Sequence, residues 1–149
     1  MHKTVQDWLD EYGESHQNPI NKSIHWICVP LIMLSLIGLL WHIPGNSIIN
    51  LGTIFIVFAC IYYLRMSFVM FIGMLFVGVL LVYGVQYLET LPYPLWKTSL
   101  IIFIIAWIGQ FIGHKIEGQK PSFFQDIQFL LIGPLWLLGF IYRKLGIKY

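Results

Sequence analysis

The chain has 149 residues and a formal net charge of +2; 58% of its residues are hydrophobic and only 11% are charged. Soluble domains carry about 25% charged residues, so a soluble globular domain is excluded. The few cations are scattered, which excludes a nucleic-acid-binding protein. This composition predicts one integral membrane domain over residues 1–149.

The N-terminal segment is predicted to form a short amphipathic helix. Thr4 stands three residues before Asp7, the spacing of a helix-capping pair. Apolar side chains recur at helical spacing opposite acidic ones: Val5, Trp8, Leu9 and Tyr12. We expect this helix to end near Gly13 and to lie on the membrane surface.

Four apolar stretches are long enough to cross a hydrocarbon core as helices. They are residues 24–43, 48–64, 68–88 and 95–113. Apolar residues run through them without the alternation of a barrel strand, so helices are predicted. Residues 65–67 join the second and third stretches so closely that an antiparallel hairpin is expected. A fifth stretch, 127–142, is shorter and is interrupted by Gly133-Pro134.

The distribution of Lys and Arg indicates the topology. If residues 127–142 cross the membrane, the basic residues divide evenly between the two sides. If the chain turns back at Gly133-Pro134, only Lys97 is left opposite the others. We therefore predict an all-α, polytopic protein with four transmembrane helices and an interfacial N-terminal helix. The C-terminal apolar segment is predicted to be re-entrant or interfacial, with a fifth span as the alternative. Both termini would be cytoplasmic, in the plasma membrane of a bacterium or the endoplasmic reticulum of a eukaryote.

This topology gathers three histidines at one membrane face. His16 and His25 lie at the start of the first span, and His114 lies at the end of the fourth. Each span carries a polar stripe at helical spacing, and the stripes are Asn18, Asn21 and His25 on the first and Trp107, Gln110, His114 and Glu117 on the fourth. Ionisable groups within a membrane are costly and indicate function.

Neutral imidazole is the commonest metal ligand. Three histidines, or two with Glu117, suit a mononuclear iron site with open positions, and they suit zinc equally well. No HExxH, GxSxG, phosphate-binding or dinucleotide-binding motif is present. Two alternatives are a zinc-dependent lipid hydrolase and a non-catalytic lipid-binding protein or small transporter whose histidines line a polar pocket.

Two blocks of residues carry a resemblance to a known family. The blocks are Tyr12-x3-His16-x-Asn18-x2-Asn21-x3-His25-x4-Pro30 and Gln110-Phe111-Ile112-Gly113-His114-x2-Glu117-Gly118-x2-Pro121, followed by Gly133-Pro134. This pattern resembles the small membrane proteins of the 2-hydroxy fatty acid dioxygenase family, typified by the yeast enzyme of phytosphingosine degradation. The resemblance extends from about Tyr12 to Pro134.

The resemblance implies an iron(II)-dependent dioxygenase that shortens a 2-hydroxy fatty acid by one carbon, using O2 and no 2-oxoglutarate. The implied iron ligands are His16, His25 and His114, with Zn2+ as the alternative metal. Catalytic roles would fall to Asn21, Gln110 and Glu117, with Glu117 as a further ligand or as the acceptor that fixes an imidazole tautomer. The candidates for attracting the fatty acid headgroup are Lys22, Lys115 and Lys120.

Overall fold

The computed structural model describes residues 3–44, 48–118 and 129–149, and within these ranges the chain forms helices and no strand. The six helices are α1 (Val5–Glu14), α2 (Pro19–Leu40), α3 (Leu51–Met66), α4 (Phe68–Glu89), α5 (Leu95–Glu117) and α6 (Ile132–Leu145). The predicted all-α class is confirmed.

Three of these helices, α2, α4 and α5, are long and apolar enough to cross a membrane. The second predicted span is a shorter apolar helix, α3, of 16 residues. Asn50 caps α3, accepting a hydrogen bond from the Thr53 amide at 3.0 Å, so the helix begins three residues later than the apolar stretch does. At about 1.5 Å per residue, α3 extends about 24 Å, less than a hydrocarbon core of about 30 Å.

A single residue, Ser67, separates α3 from α4 and is extended. Its hydroxyl accepts a hydrogen bond from the Met70 amide at 3.4 Å, which caps the new helix. The two helices pack against each other, with Gly78 beside Ile56. The antiparallel hairpin predicted from the short connection is confirmed.

Helix α1 begins with the predicted capping pair. The Thr4 hydroxyl accepts from the Asp7 amide at 3.2 Å, and the Asp7 carboxylate accepts from the Thr4 amide at 2.7 Å. The helix ends at Glu14, one residue beyond the expected end. Its apolar face is buried against protein, because Leu9 and Tyr12 pack in one cluster with residues of α6.

The Gly133-Pro134 pair lies in the first turn of α6, where the missing amide hydrogen of proline costs no helical hydrogen bond. The break therefore falls at the beginning of the helix. With 14 residues, α6 is about 21 Å long, and it is not among the candidate spans of the described ranges. It packs against α1 and α4, and Tyr142 donates a hydrogen bond to the Val69 carbonyl at 3.0 Å.

The most extensive helix packing in the described ranges joins α2 and α5. The two helices run antiparallel, since Gly38 faces Ser99 near one end and Asn21 faces Gly113 near the other. A Cβ atom on Gly109 would lie 2.5 Å from the Cys28 sulfur. Small residues thus let the two backbones approach closely, as in other membrane helix pairs.

The docking of α1 depends on Leu9, which is 2% exposed. We expect Leu9→Ala to lower the free energy of unfolding by about 2–5 kcal/mol, because truncation leaves a cavity between α1 and α6. Thermal unfolding in detergent measures the loss. Leu145→Ala, at a residue that is 66% exposed, is the matched control and should change stability by less than about 0.5 kcal/mol. Equal losses in both variants would contradict the packing of α1 on α6.

Candidate metal centre

The structure brings three histidines together from three places in the chain. His16 lies between α1 and α2, His25 lies in α2, and His114 lies in the last turn of α5. Their exposed fractions are 1%, 0% and 6%. One ligand atom from each ring lies within 4.8 Å of those of the other two.

Hydrogen bonds to main-chain carbonyls fix two of the imidazole tautomers. His16 Nδ1 is 2.6 Å from the Tyr12 carbonyl oxygen, and His25 Nδ1 is 2.9 Å from the Asn21 carbonyl oxygen. A carbonyl oxygen only accepts, so each Nδ1 carries the proton. In the neutral ring the lone pair is then on Nε2, and these two Nε2 atoms are 2.9 Å apart.

Two facing lone pairs at this distance need a cation between them, either a shared proton or a metal ion. Burial lowers the pKa of His16 to about 4 by desolvating the charged ring, and the hydrogen bond to Tyr12 opposes this shift only in part. His16 is therefore neutral at neutral pH, which disfavours the shared proton. Metal-bound histidines commonly donate their other ring N–H to a carbonyl, so this donor set fits a metal ion.

Glu117 fastens the segment that carries His16. Its carboxylate accepts hydrogen bonds from the amides of Gln17 at 2.7 Å and Asn18 at 2.8 Å. It also accepts from the Asn21 side-chain amide at 3.0 Å. These bonds tie the start of α2 to the end of α5, whereas carbonyls fix the imidazole tautomers of His16 and His25.

Asn21 is fully buried between the histidines and Glu117. Its Oδ1 atom has no hydrogen-bond partner within the described ranges. Gly113 makes room for it, because a Cβ atom there would overlap this oxygen. Gly113 was not predicted as a site residue, although it immediately precedes His114 in the second motif block.

An inner cleft, with a volume of 30 Å³, lies between residues of α2, α5 and α6 and reaches the centre at Tyr12. Gln110 and Tyr12 line it, and both are buried. The Tyr12 ring stacks on His16 with ring centroids 4.2 Å apart, and Trp136 approaches His16 at 5.2 Å. Trp136 was not predicted as a neighbour of the histidines, because only tertiary packing brings α6 close to them.

A polar cleft opens beside His16. Lys22 and Arg143 of α6 line it together with the carboxylates of Asp10 and Glu14, and the last three were not predicted from the sequence. Lys115 is exposed and is not among the lining residues. Lys120 lies outside the described residues. Of the remaining histidines, His42 pairs with Glu89 at 3.1 Å, at the far end of α2.

Comparison with known proteins agrees with the two motif blocks. A family model described as "2-hydroxy-palmitic acid dioxygenase Mpo1-like" matches residues 2–145. The chain belongs to the Mpo1-like family. One relative is the 2-hydroxy-palmitic acid dioxygenase MPO1 of Saccharomyces cerevisiae. It is 30% identical to this chain over 148 residues, which cover 95% of this chain and 82% of the yeast protein. No solved structure matches.

The family predicted from the motifs is therefore confirmed. The matched region of the Mpo1-like chain includes all three clustered histidines and the residues that surround them.

A substitution at Gly113 tests whether the packing around Asn21 supports metal binding. We expect Gly113→Ala to weaken metal affinity about 10–100-fold, the usual cost of disturbing the residues behind metal ligands, because the added methyl group displaces Asn21. Metal titration of purified protein measures the effect. Gly78→Ala is the control, since its Cβ would meet the Cγ2 methyl group of Ile56 on α3 at 3.2 Å and none of the residues of the centre. Unchanged affinity in Gly113→Ala would refute the dependence on Asn21.

Proposed function

We propose that this chain is an iron(II)-dependent dioxygenase that shortens a 2-hydroxy fatty acid by one carbon, using O2 without 2-oxoglutarate. The observation that carries the proposal is the pair of Nε2 atoms 2.9 Å apart, with His114 beside them, in a member of the Mpo1-like family. The name of the yeast relative supplies the substrate class.

The proposed reaction balances without a second organic substrate. A 2-hydroxy acid and one O2 give a fatty acid one carbon shorter, one CO2 and one water. The bond between C1 and C2 breaks, C2 is oxidised from an alcohol to a carboxylic acid, and O2 takes up the four electrons. No reductant is required, which agrees with a reaction that needs no 2-oxoglutarate.

His16, His25 and His114 would hold the iron. When bound, iron(II) would supply a Lewis acid with open coordination positions and the redox chemistry that dioxygen activation needs. The chain's contribution is to bury all three imidazoles and to orient those of His16 and His25 through main-chain carbonyls. Zinc accepts the same nitrogen donors, so a zinc-dependent lipid hydrolase is the alternative that the metal test addresses.

The surrounding polar residues would bind and orient the substrate. Gln110 presents an amide to the inner cleft, where it would donate a hydrogen bond to the substrate carboxylate. The buried Oδ1 of Asn21 would accept one from the 2-hydroxyl group. Lys22 at the polar cleft would attract the anionic headgroup. Glu117 would act as a positioning residue through its bonds to the loop before α2.

We further propose that α2, α3, α4 and α5 all cross the membrane, with the histidines at the cytoplasmic face. Helix α3 exposes large apolar side chains such as Phe58, at 62%, which suits contact with lipid. Four alternating passes would also return the chain to the side from which it started, consistent with the antiparallel contact of α2 with α5.

Metal content and turnover test the function together. Protein purified anaerobically in detergent should contain about one iron per chain, as a mononuclear site requires, and should convert 2-hydroxypalmitate to pentadecanoate and CO2 only when O2 is present. His114→Ala should lose both iron and turnover while still folding as a helical protein. His42→Ala, at the far end of α2, should retain both.

Three other outcomes would lead to different conclusions about the function. Full turnover in His114→Ala would refute the three-histidine centre. Hydrolysis of lipids by a zinc-loaded protein, independent of O2, would favour the hydrolase. Absence of metal and turnover after reconstitution with iron would leave a non-catalytic lipid-binding protein.

A further inference from the structure

An apolar cavity of 150 Å³ lies between α2, α4 and α6. Apolar side chains from all three helices line it, among them Met33, Met74, Val77, Leu137 and Ile141. The cavity is large compared with the inner cleft, and none of the described residues that line it is charged. Its chemistry suits a hydrocarbon chain.

The apolar cavity is connected to the surroundings of the candidate metal centre through the inner cleft. Val29, Met33 and Pro134 line both this cavity and the inner cleft, and the inner cleft is also lined by Tyr12, whose ring stacks on His16.

His16 also borders the polar cleft, which is lined by two cations, Lys22 and Arg143, and by two anions, Asp10 and Glu14. The candidate metal centre thus has a cleft with charged side chains and an apolar cavity near it. A 2-hydroxy fatty acid likewise has a charged carboxylate at one end and an apolar chain at the other.

We propose that the acyl chain of the substrate lies inside the protein, in this cavity, and not in the surrounding lipid. The inference rests on the proposed function, because it takes a 2-hydroxy fatty acid as the ligand. An acyl chain in lipid meets no wall at any length, whereas a walled cavity discriminates by length. The side chains of Val77 and Leu137 then set the preferred length of the substrate.

Met33 indicates where longer chains extend. Together with Met74 and Leu81, it lines both the apolar cavity and a second, smaller cavity, which Ile37 and Tyr63 also border. Methionine side chains are flexible and fill irregular space. Rearrangement of Met33 would therefore join the two cavities for a longer substrate.

Two valines two residues apart on α4 provide a matched test. Val77 lines the cavity, whereas Val79 is 46% exposed and is not among the lining residues. In Val77→Trp, kcat/KM for 2-hydroxypalmitate relative to 2-hydroxyoctanoate should fall tenfold or more, since each methylene group that loses its place costs about 4-fold. Val79→Trp should keep the wild-type ratio, and Val77→Ala should shift the preference toward 2-hydroxystearate.

The ratio of two substrates separates chain recognition from a general loss of activity. If Val77→Trp fails to fold, as judged by thermal unfolding and metal content, Val77→Ala decides. Identical length profiles in wild type, Val77→Trp and Val77→Ala would overturn the proposal while leaving the proposed function intact.

Photo-crosslinking gives a readout that needs neither metal nor turnover. Metal-free protein in lipid nanodiscs is irradiated with 2-hydroxypalmitate that carries a diazirine at the end of its acyl chain, and the adducts are mapped by mass spectrometry. Adducts at Met74, Val77 or Leu137, displaced by unlabelled 2-hydroxypalmitate, would support the proposal. Adducts confined to exposed residues of α4 such as Leu75 and Phe76 would overturn it, whether or not the protein shows turnover.

Discussion

The close antiparallel packing of α2 against α5 is the constraint on which the centre depends. Gly109 and Gly113 lack a Cβ where Cys28 and Asn21 fit against the opposing helix. This contact fixes the axial register, and a slip of one helical turn, about 5.4 Å, would separate His25 from His114. The two glycines therefore align His25, near the start of one helix, with His114, near the end of its neighbour.

The third histidine depends on contacts far apart in sequence. His16 precedes α2, and Glu117 holds that loop through main-chain amides about 100 residues away in sequence. Helix α1 covers the ring through the stacked Tyr12, and α6 adds Trp136. The short terminal helices, which carry much of the chain's charge, thus shield the centre from water, while the long helices provide its other two imidazoles.

Local patterns predicted much of this architecture. The capping pair of Thr4 and Asp7, the close hairpin at Ser67 and the helical stripe of Gln110 and His114 are all visible within a few residues, because helix geometry fixes their spacing. The family was recognisable from polar residues at fixed intervals around His16 and His114. These features require no knowledge of which helices are neighbours.

The sequence does not show which surface covers the apolar face of each helix. The apolar face of α1 looks the same whether lipid or α6 covers it, and periodicity cannot distinguish the two. For the same reason Trp136 and Arg143 gave no sign that they lie near His16. The length of α3 depends on the cap at Asn50, since a helix begins where its free amides find an acceptor. The number of spanning helices therefore stays a prediction.

The carbonyl bonds that orient the imidazoles also restrict what the centre can hold. Because Tyr12 and Asn21 each take an Nδ1 proton, His16 and His25 present only Nε2 lone pairs to the space between them. Without a cation, those lone pairs repel each other in a buried setting where water cannot screen them. Binding of a metal ion at the proposed site would thus be coupled to folding through the same hydrogen bonds.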